Sequence, residues 1–324
     1  MSFVSALAKR LAYAVALVFA VLTINFTLIH AAPGDPAMVI AGEMGGADQA
    51  TLDQIRRTYG LDRPILEQYT TYVGRAVRGD LGQSYLYNQP VTTLIMQRLP
   101  ATVLLVLSAL LCAILAGTLV GVWASRRPHS VGSGAVTVMS LVGYSMPTFW
   151  TGILLVILFG KVIPIMPIAG MRDVRLDGGW FVTALDVLHH LVLPAFTLGI
   201  VYMAQYSRLS RASMLEVLGS DYIRTARAKG LSERLVIWKH ALRNALMPVI
   251  TIAGLQFGNL ISGAVLVETV FSWPGLGTLA FDSILGRDYP TLLGVLFFSS
   301  LLVITANLLT DLAYRAVDPR LRTR

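Results

Sequence analysis

Charge is scarce in this sequence. Only 14% of its 324 residues are Asp, Glu, Lys or Arg, while 55% are hydrophobic and the mean hydropathy is +0.66. Soluble domains carry about a quarter charged residues, so an ordinary water-soluble globule is excluded. A single cysteine, Cys112, excludes an internal disulfide. Its place inside an apolar run reads as a small buried apolar residue. Catalytic signatures are missing as well. No G-x-x-x-x-G-K-[ST] occurs, and "AKG" at 228–230 has the wrong order for a phosphate cradle, so no ATP site is expected on this chain. H-E-x-x-H and G-x-S-x-G are both absent. His189 and His190 are adjacent but have no Cys or third His nearby, so they read as interfacial histidines; no metal or other bound cofactor is assigned. The centres of the apolar runs lack ionisable groups, which argues against a proton relay. Glu268 and Asp311 stand only at the ends of such runs. A helix-end role suits both, and Glu268 is also a candidate for lining an outer gate.

What is abundant is uncharged length. Runs at 11–30, 99–125, 131–160, 244–267 and 289–310 approach or exceed the roughly 20 residues that cross a bilayer. A sixth, "LVLPAFTLGIVYMAQYS" at 191–207, is shorter and spans if Arg208 snorkels to the interface. Six spanning helices are expected, in an all-α membrane protein. The first run exceeds the roughly 7–15 apolar residues of a signal-peptide core, so it is read as a retained helix.

With six spans, both termini share one side. Segments 1–10, 126–130, 208–243 and 311–324 hold 16 of the 26 basic residues and five acids. Segments 31–98, 161–190 and 268–290 hold ten basic residues and 13 acids. Positive charge marks the cytoplasmic side, so both termini and 208–243 are expected there. The pI of about 9.8 then reflects topology rather than nucleic-acid binding. The organisation expected is an N-terminus and first span (1–30), an extracytoplasmic lobe (31–98), and a core of five spans (99–324) with a cytoplasmic loop at 208–245.

Within the lobe, "ADQATLDQIRRTYG" offers Asp48 as an N-cap and Gly60 as a stop. "RPILEQYTTYVGRAV" puts Pro64 in a first turn, with Ile65, Tyr69, Tyr72, Val73 and Ala76 on one face. The cytoplasmic loop is the odd passage: "DYIRTARAKGLSERLVIWKHALRNALMP", 221–248, has six basic residues and two acids between apolar runs. Asp221 is expected to cap a helix ending at Ala228, with Gly230 as a left-handed stop. Ser232 is expected to cap a second helix with a Leu235, Trp238, Leu242 and Ala245 stripe. A basic segment held on anionic lipid is one reading. Two caps, a Gly break and an apolar stripe suit docking in a protein groove instead.

This passage resembles the cytoplasmic coupling loop, or EAA loop, of ABC importer permeases, and more closely those of the dipeptide/oligopeptide/nickel family. Arg224, Thr225 and Ala226 occupy the E-A-A places, followed by Arg227, Ala228, Lys229 and Gly230. The initial Glu of the wider pattern is absent and the Pro falls later, as is ordinary in the peptide branch. "PGDP" at 33–36, "YGLDRPILEQY" at 59–69, "GDLGQS" at 79–84, "VETVFSWPGLG" at 267–277 and "DPRLR" at 318–322 resemble the first of that family's two permease subunits, in family order.

The resemblance implies a type I importer permease of six helices in a bacterial plasma (inner) membrane, carrying peptides or a related solute. Its implied partners are a second permease, two cytoplasmic ATPases that bind ATP and Mg, and an extracytoplasmic substrate-binding protein. It further implies that Asp221, Tyr222, Arg224, Thr225, Ala226, Arg227, Ala228, Lys229, Gly230 and Leu231 form the element that engages an ATPase. For the pathway or its gate the candidates are Ser145, Met146 and Pro147, in the Gly/Pro-rich "SLVGYSMPTFWTG" at 140–152, with Gln256, Asn259 and Glu268. Gln205, Ser262, Thr305 and Asn307 are further uncharged polar positions in the runs. Two other readings stay open at this point: an ion-coupled secondary transporter acting alone, and a membrane scaffold whose loop binds another protein.

Overall fold

A computed structural model describes residues 3–31, 38, 48–59, 62–176 and 178–317. "PGDP", "DPRLR" and Gly60 lie outside the described residues. The described chain is helical, with one isolated antiparallel bridge between Gln83 and Pro90. In order, the helices are α1 (Phe3–Ala31), α2 (Gln49–Tyr59), α3 (Ile65–Val77), α4 (Val91–Ser125), α5 (Val131–Ser145) and α6 (Thr148–Ile157). They continue with α7 (Trp180–Leu218), α8 (Asp221–Ala228), α9 (Met247–Val270), α10 (Leu276–Leu285) and α11 (Tyr289–Val317). A π turn, Leu158–Val162, extends α6, and three short helical pieces over Glu233–Ala245 join α8 to α9.

Four helices are long and apolar enough to cross a membrane among the described residues, and up to six if two bent pairs each count as one span. The run at 191–207, which looked marginal, lies inside the 39-residue α7. At 1.5 Å per residue that helix is roughly 58 Å long, well beyond a 30 Å hydrocarbon core. Length is therefore no obstacle to the fourth span. The uncharged run is only the part of it that must shed charge.

One compact unit takes in residues up to Pro100 together with Gly275–Leu308. Asp48 caps α2 through Thr51, whose backbone N–H and hydroxyl both reach Oδ1, at 2.9 and 2.6 Å. These bonds hold the Asp48 carboxyl below its usual range. Helix α3 packs on α1: Ala76 meets Leu22 and Phe297, Phe26 lies edge-on to Tyr69 at 5.3 Å, and Tyr69 shares a 2.8 Å hydrogen bond with Thr23. Ile65 departs from the expected face and is 65% exposed. It is the first residue of α3, a full turn from the contact with α1 that orders Tyr69, Tyr72 and Val73.

Asp288 closes this unit. It precedes α11, where its Oδ1 accepts from the Thr291 backbone N–H at 3.3 Å and its Oδ2 from the Thr291 hydroxyl at 2.7 Å. The same carboxylate accepts from Ser84 Oγ at 2.5 Å and from the backbone N–H groups of Tyr85 and Leu86. Asp288 and Thr291 are fully buried and Ser84 nearly so. Saturated acceptors make a buried carboxylate tenable.

The second unit spans Ala101–Pro274 and resumes at Leu309. In it α4 packs closely on α7, and glycines set their distance. A Cβ on Gly117 would lie 2.6 Å from the Met203 carbonyl oxygen and 2.9 Å from Tyr206 Cβ. One on Gly121 would lie 2.8 Å from Ser210 Cβ, and one on Gly199 would lie 2.9 Å from the Ala109 carbonyl. Lacking a hydrophobic drive between helices in lipid, such close backbone packing is what joins them. Cys112, expected inside, is exposed on α4. It falls on the outward face with Leu107, Leu111 and Leu115, and an apolar outward face is normal where lipid is the solvent.

Candidate functional site

The loop after α7 folds as a braced helical hairpin. Gly219 and Ser220 turn the chain, and Ser220, not Asp221, takes the N-cap position of α8 with extended backbone (ψ 154°). Its hydroxyl bends back to the Val217 carbonyl at 2.5 Å. The boundary shifts by one because Ser220 already supplies the extended residue that an N-cap needs. Asp221 becomes the first helical residue, favourably placed for the helix dipole. It sits 3.2 Å from Arg224, both side chains being open to solvent.

Only one edge of α8 is buried. Ile223 and Ala226, three apart, pack with Val122, Met214, Val236, Ile237, Ala241 and Ala245. Tyr222, Arg224, Thr225, Arg227, Ala228 and Lys229 face outward. Ala226 is thus a packing residue, and its neighbours carry the exposed surface.

The helix ends in a Schellman motif. Leu231 N–H donates to the Ala226 carbonyl at 3.4 Å and Gly230 N–H to the Arg227 carbonyl at 2.9 Å, with Gly230 at φ +77°. Leu231 packs on the same apolar cluster, completing the hydrophobic contact of that motif. Across the turn, Arg227 grips Glu233 bidentately, Nη2 to Oε1 at 2.6 Å and Nε to Oε2 at 3.1 Å. The bond raises the Arg227 pKa and lowers that of Glu233. At the other end, Asn244 Nδ2 donates to the Tyr222 hydroxyl at 2.7 Å.

The returning arm differs from the expected stripe. Ser232 does hold the N-cap position, without a side-chain bond. Val236–Ala241 is then a π helix, with i→i+5 bonding that widens the turn and shifts the inward phase. Val236, Ile237, Ala241 and Ala245 are buried, whereas Leu235 and Trp238 are 38% and 46% exposed. Leu242 is partly buried against the cluster. An α-helical count cannot find that face.

Among the pathway candidates, Ser145, Met146 and Pro147 mark a break where α5 and α6 meet at 104°. Ser145 Oγ donates to the Leu141 carbonyl, Met146 is extended (ψ 132°), and Pro147 caps α6. Leu141, Val142 and Trp150 join them around a mostly apolar hollow of about 590 Å³. Gln256 and Asn259 are brought together with Gln205. Asn259 Nδ2 donates to Gln256 Oε1 at 3.0 Å, and Gln256 Nε2 to Gln205 Oε1 at 3.1 Å. Glu268 stands in a different setting, fully buried, accepting from Thr102 Oγ1 at 2.6 Å. Beside it Trp273 donates from its backbone to the Glu268 carbonyl and from Nε1 to the Ala101 carbonyl. Thr102 and Asp288 both escaped sequence reasoning. Nothing in the sequence pairs Thr102 with a residue 166 positions away, although "DYP" is legible as a helix start.

The profile of the family described as binding-protein-dependent transport system inner membrane component matches residues 113–323, and that of the family's N-terminal segment matches 3–106. The chain belongs to this family. As a member of it, the chain is an inner-membrane transport permease rather than an enzyme. Among relatives of this binding-protein-dependent permease, the di/tripeptide transport system permease protein DppB of Pseudomonas aeruginosa (strain UCBPP-PA14) is 41% identical, with 98% of each chain covered. The oligopeptide transport system permease protein AppB of Bacillus subtilis (strain 168) is 40% identical over 97% of this chain and 98% of its own. The dipeptide transport system permease protein DppB of Escherichia coli (strain K12) is 39% identical over 97% of each. A chain from inward-facing structures of the MetNI methionine ABC transporter matches with TM-score 0.54 and 20% identity, covering 69% of this chain and 96% of that one. That likeness is one of fold, the type I ABC permease fold.

Proposed function

We propose that the chain is one permease subunit of an ATP-driven importer of di- or oligopeptides. In this reading it spans the membrane six times, each bent pair counting as one span, with both termini and the 208–245 loop in the cytoplasm. It forms the translocation pathway with a second, homologous permease. Two ATPase subunits bind ATP and Mg and engage the loop, and the lobe at 31–98 receives a substrate-loaded binding protein from outside. Near-full-length similarity to three peptide permeases supports the solute class.

One observation carries the coupling role: the hairpin is stiff where a lipid-bound loop would have no need to be. Its turn is a complete Schellman motif, its ends are tied by Arg227–Glu233 and Tyr222–Asn244, and its buried edge is continuous with Val122 and Met214 of α4 and α7. A packed element with fixed arms passes displacement on as a rigid body. Thr225, Arg224 and Lys229 are then the groups offered to the ATPase, and Ile223 and Ala226 the link to the spans.

Gly230→Val tests it. A β-branched residue at φ +77° costs about 1–2 kcal/mol at the turn, outside the bilayer. Uptake and binding-protein-stimulated ATPase in the assembled transporter are expected to fall together, while membrane insertion and complex yield hold. Lipid attraction predicts the opposite ranking, with neutralisation of Arg224, Arg227 and Lys229 harmful and Gly230→Val silent. Normal stimulation in Gly230→Val sinks the lever.

A further inference from the structure

The helical stretch Glu233–Gly254 is bent by 55° from Gln256–Val270, and at the break Thr310 Oγ1 donates to the Gly254 carbonyl at 3.0 Å. Immediately past the bend stand Gln256 and Asn259, linked through Gln256 to Gln205 on α7. Gln256 is 8% exposed and Gln205 partly buried, whereas Asn259 and, one turn on, Ser262 are open. Asn259 is at the centre of the 24-residue helix, roughly 18 Å from either end at 1.5 Å per residue.

An amide open at that depth cannot be meant for hydrocarbon, which leaves its donors and acceptors unmet. The ladder consumes one Asn259 N–H and leaves a second N–H and the carbonyl oxygen at its open end. Turning all three amides over reverses the sense of the ladder but still leaves donor and acceptor capacity at Asn259. What faces it therefore has both kinds of group. The surrounding run 244–267 carries no charge.

These features match the constant part of a peptide. A carboxamide accepts from an ammonium, donates to a carboxylate, and meets a peptide bond with a complementary donor and acceptor. It has no net charge to hold a zwitterion fast, and transit requires sites weak enough to leave. It also ignores the peptide's side chains. We propose that Gln205, Gln256 and Asn259 form a carboxamide ladder on the translocation path, hydrogen-bonding main-chain groups of the passing peptide, so that passage tolerates many side chains. Gln205 and Gln256 position the ladder and Asn259 meets the solute. The proposal rests on the peptide-importer reading.

The test uses the complete transporter in liposomes, with loaded binding protein outside and ATP inside. Labelled Ala-Ala, Ala-Phe and Ala-Lys are the solutes. Asn259→Leu and Gln205→Met, singly and together, are compared with Asn259→Gln. The double variant should lower uptake per ATP hydrolysed at least about tenfold for all three peptides alike, because a site built for polar partners fails without them. Binding-protein-stimulated ATPase and complex yield should stay near wild type, and Asn259→Gln should recover most of the uptake. Unchanged uptake in the double variant overturns the ladder, as does a loss confined to one peptide. A fall in complex yield with Asn259→Leu also overturns it, since the residue would then be a contact between permeases. If the wild-type complex imports none of the three peptides, the peptide-importer reading fails, and the ladder with it.

Discussion

Two polar clasps hold this molecule at sites that water treats very differently. The Arg227–Glu233 fork is geometrically the better pair, with two short bonds, yet its side chains are 43% and 54% exposed. The Asp288 clasp has no cation among the described residues; it is a fully buried carboxylate met by two hydroxyls and three backbone N–H groups. Exposed ion pairs contribute about 0–1 kcal/mol, because water competes for both partners. Around a buried carboxylate each lost bond strands a donor at about 1–3 kcal/mol. The fork therefore sets an angle between two arms, and the clasp sets whether its part of the chain folds.

The largest effect expected from breaking that contrast is at Asp288. Asp288→Ala strands Ser84, Thr291 and three N–H groups, and should destabilise the first unit by about 3–5 kcal/mol. The sign would be a lower detergent melting temperature and new proteolytic cleavage within 82–90. Asp288→Asn keeps one acceptor oxygen and should retain part of the loss. Equal stability of Asp288→Ala and wild type would remove the clasp from the account. Next in size is Gly121→Val, which pushes a branched side chain into Ser210 and the Arg211 backbone. Overpacking of this kind costs about 1–3 kcal/mol, and the helix backbones cannot part without undoing the α4–α7 seam. Gly134→Val is its control, since a Cβ there meets nothing within 4 Å. Equal yields of the two variants would contradict the close-packed seam.

What could be read in the sequence follows the same divide. The hairpin was legible because its devices are local: Gly230 lies two residues past a helix-length segment, and Ser232 one turn before an apolar stretch. Its family resemblance added what local rules do not, the partner. The π helix at 236–241 was not legible, for no residue type demands i→i+5 bonding; packing of Val236, Ile237 and Ala241 selects it. Five of the six apolar runs were plain and the sixth was marginal. The break at Met146–Pro147 was not decided by its proline alone, since Pro100 and Pro194 lie inside continuous helices. The amide ladder was visible only as separate polar letters. Its bond from Gln256 to Gln205 joins residues 51 apart, and two helices have to pack before it exists. Glu268 shows the converse. It stood out in the sequence as a rare run-end acid, yet its partners at Thr102 and Trp273 draw it into packing.

The smallest expected effect is the pH response of the fork, and its sign follows from Glu233. The Arg227 bond lowers the Glu233 pKa in the folded hairpin. A lowered carboxyl pKa means that the stabilisation is present above the unfolded value, near 4.5, and is lost as pH falls through the folded value. Between about pH 6 and 8 the fork should therefore be indifferent to pH, and the hairpin should loosen only in the acid range. With both groups about half exposed the loss is below about 1 kcal/mol. Glu233→Gln should bring that looser state to neutral pH and abolish the acid step. Amide hydrogen exchange across 221–233 reads both at once: protection at Leu231 and Gly230, the two Schellman donors, should drop modestly in wild type as the pH falls below about 4.5, after correction for the intrinsic rate. In Glu233→Gln it should be low at pH 7 and change no further. The Ile223–Ala226 cluster is apolar and should keep its protection throughout. Loss of protection at Ile223 in parallel would mean that the fork holds the helix onto the spans, and does more than set the angle of its turn.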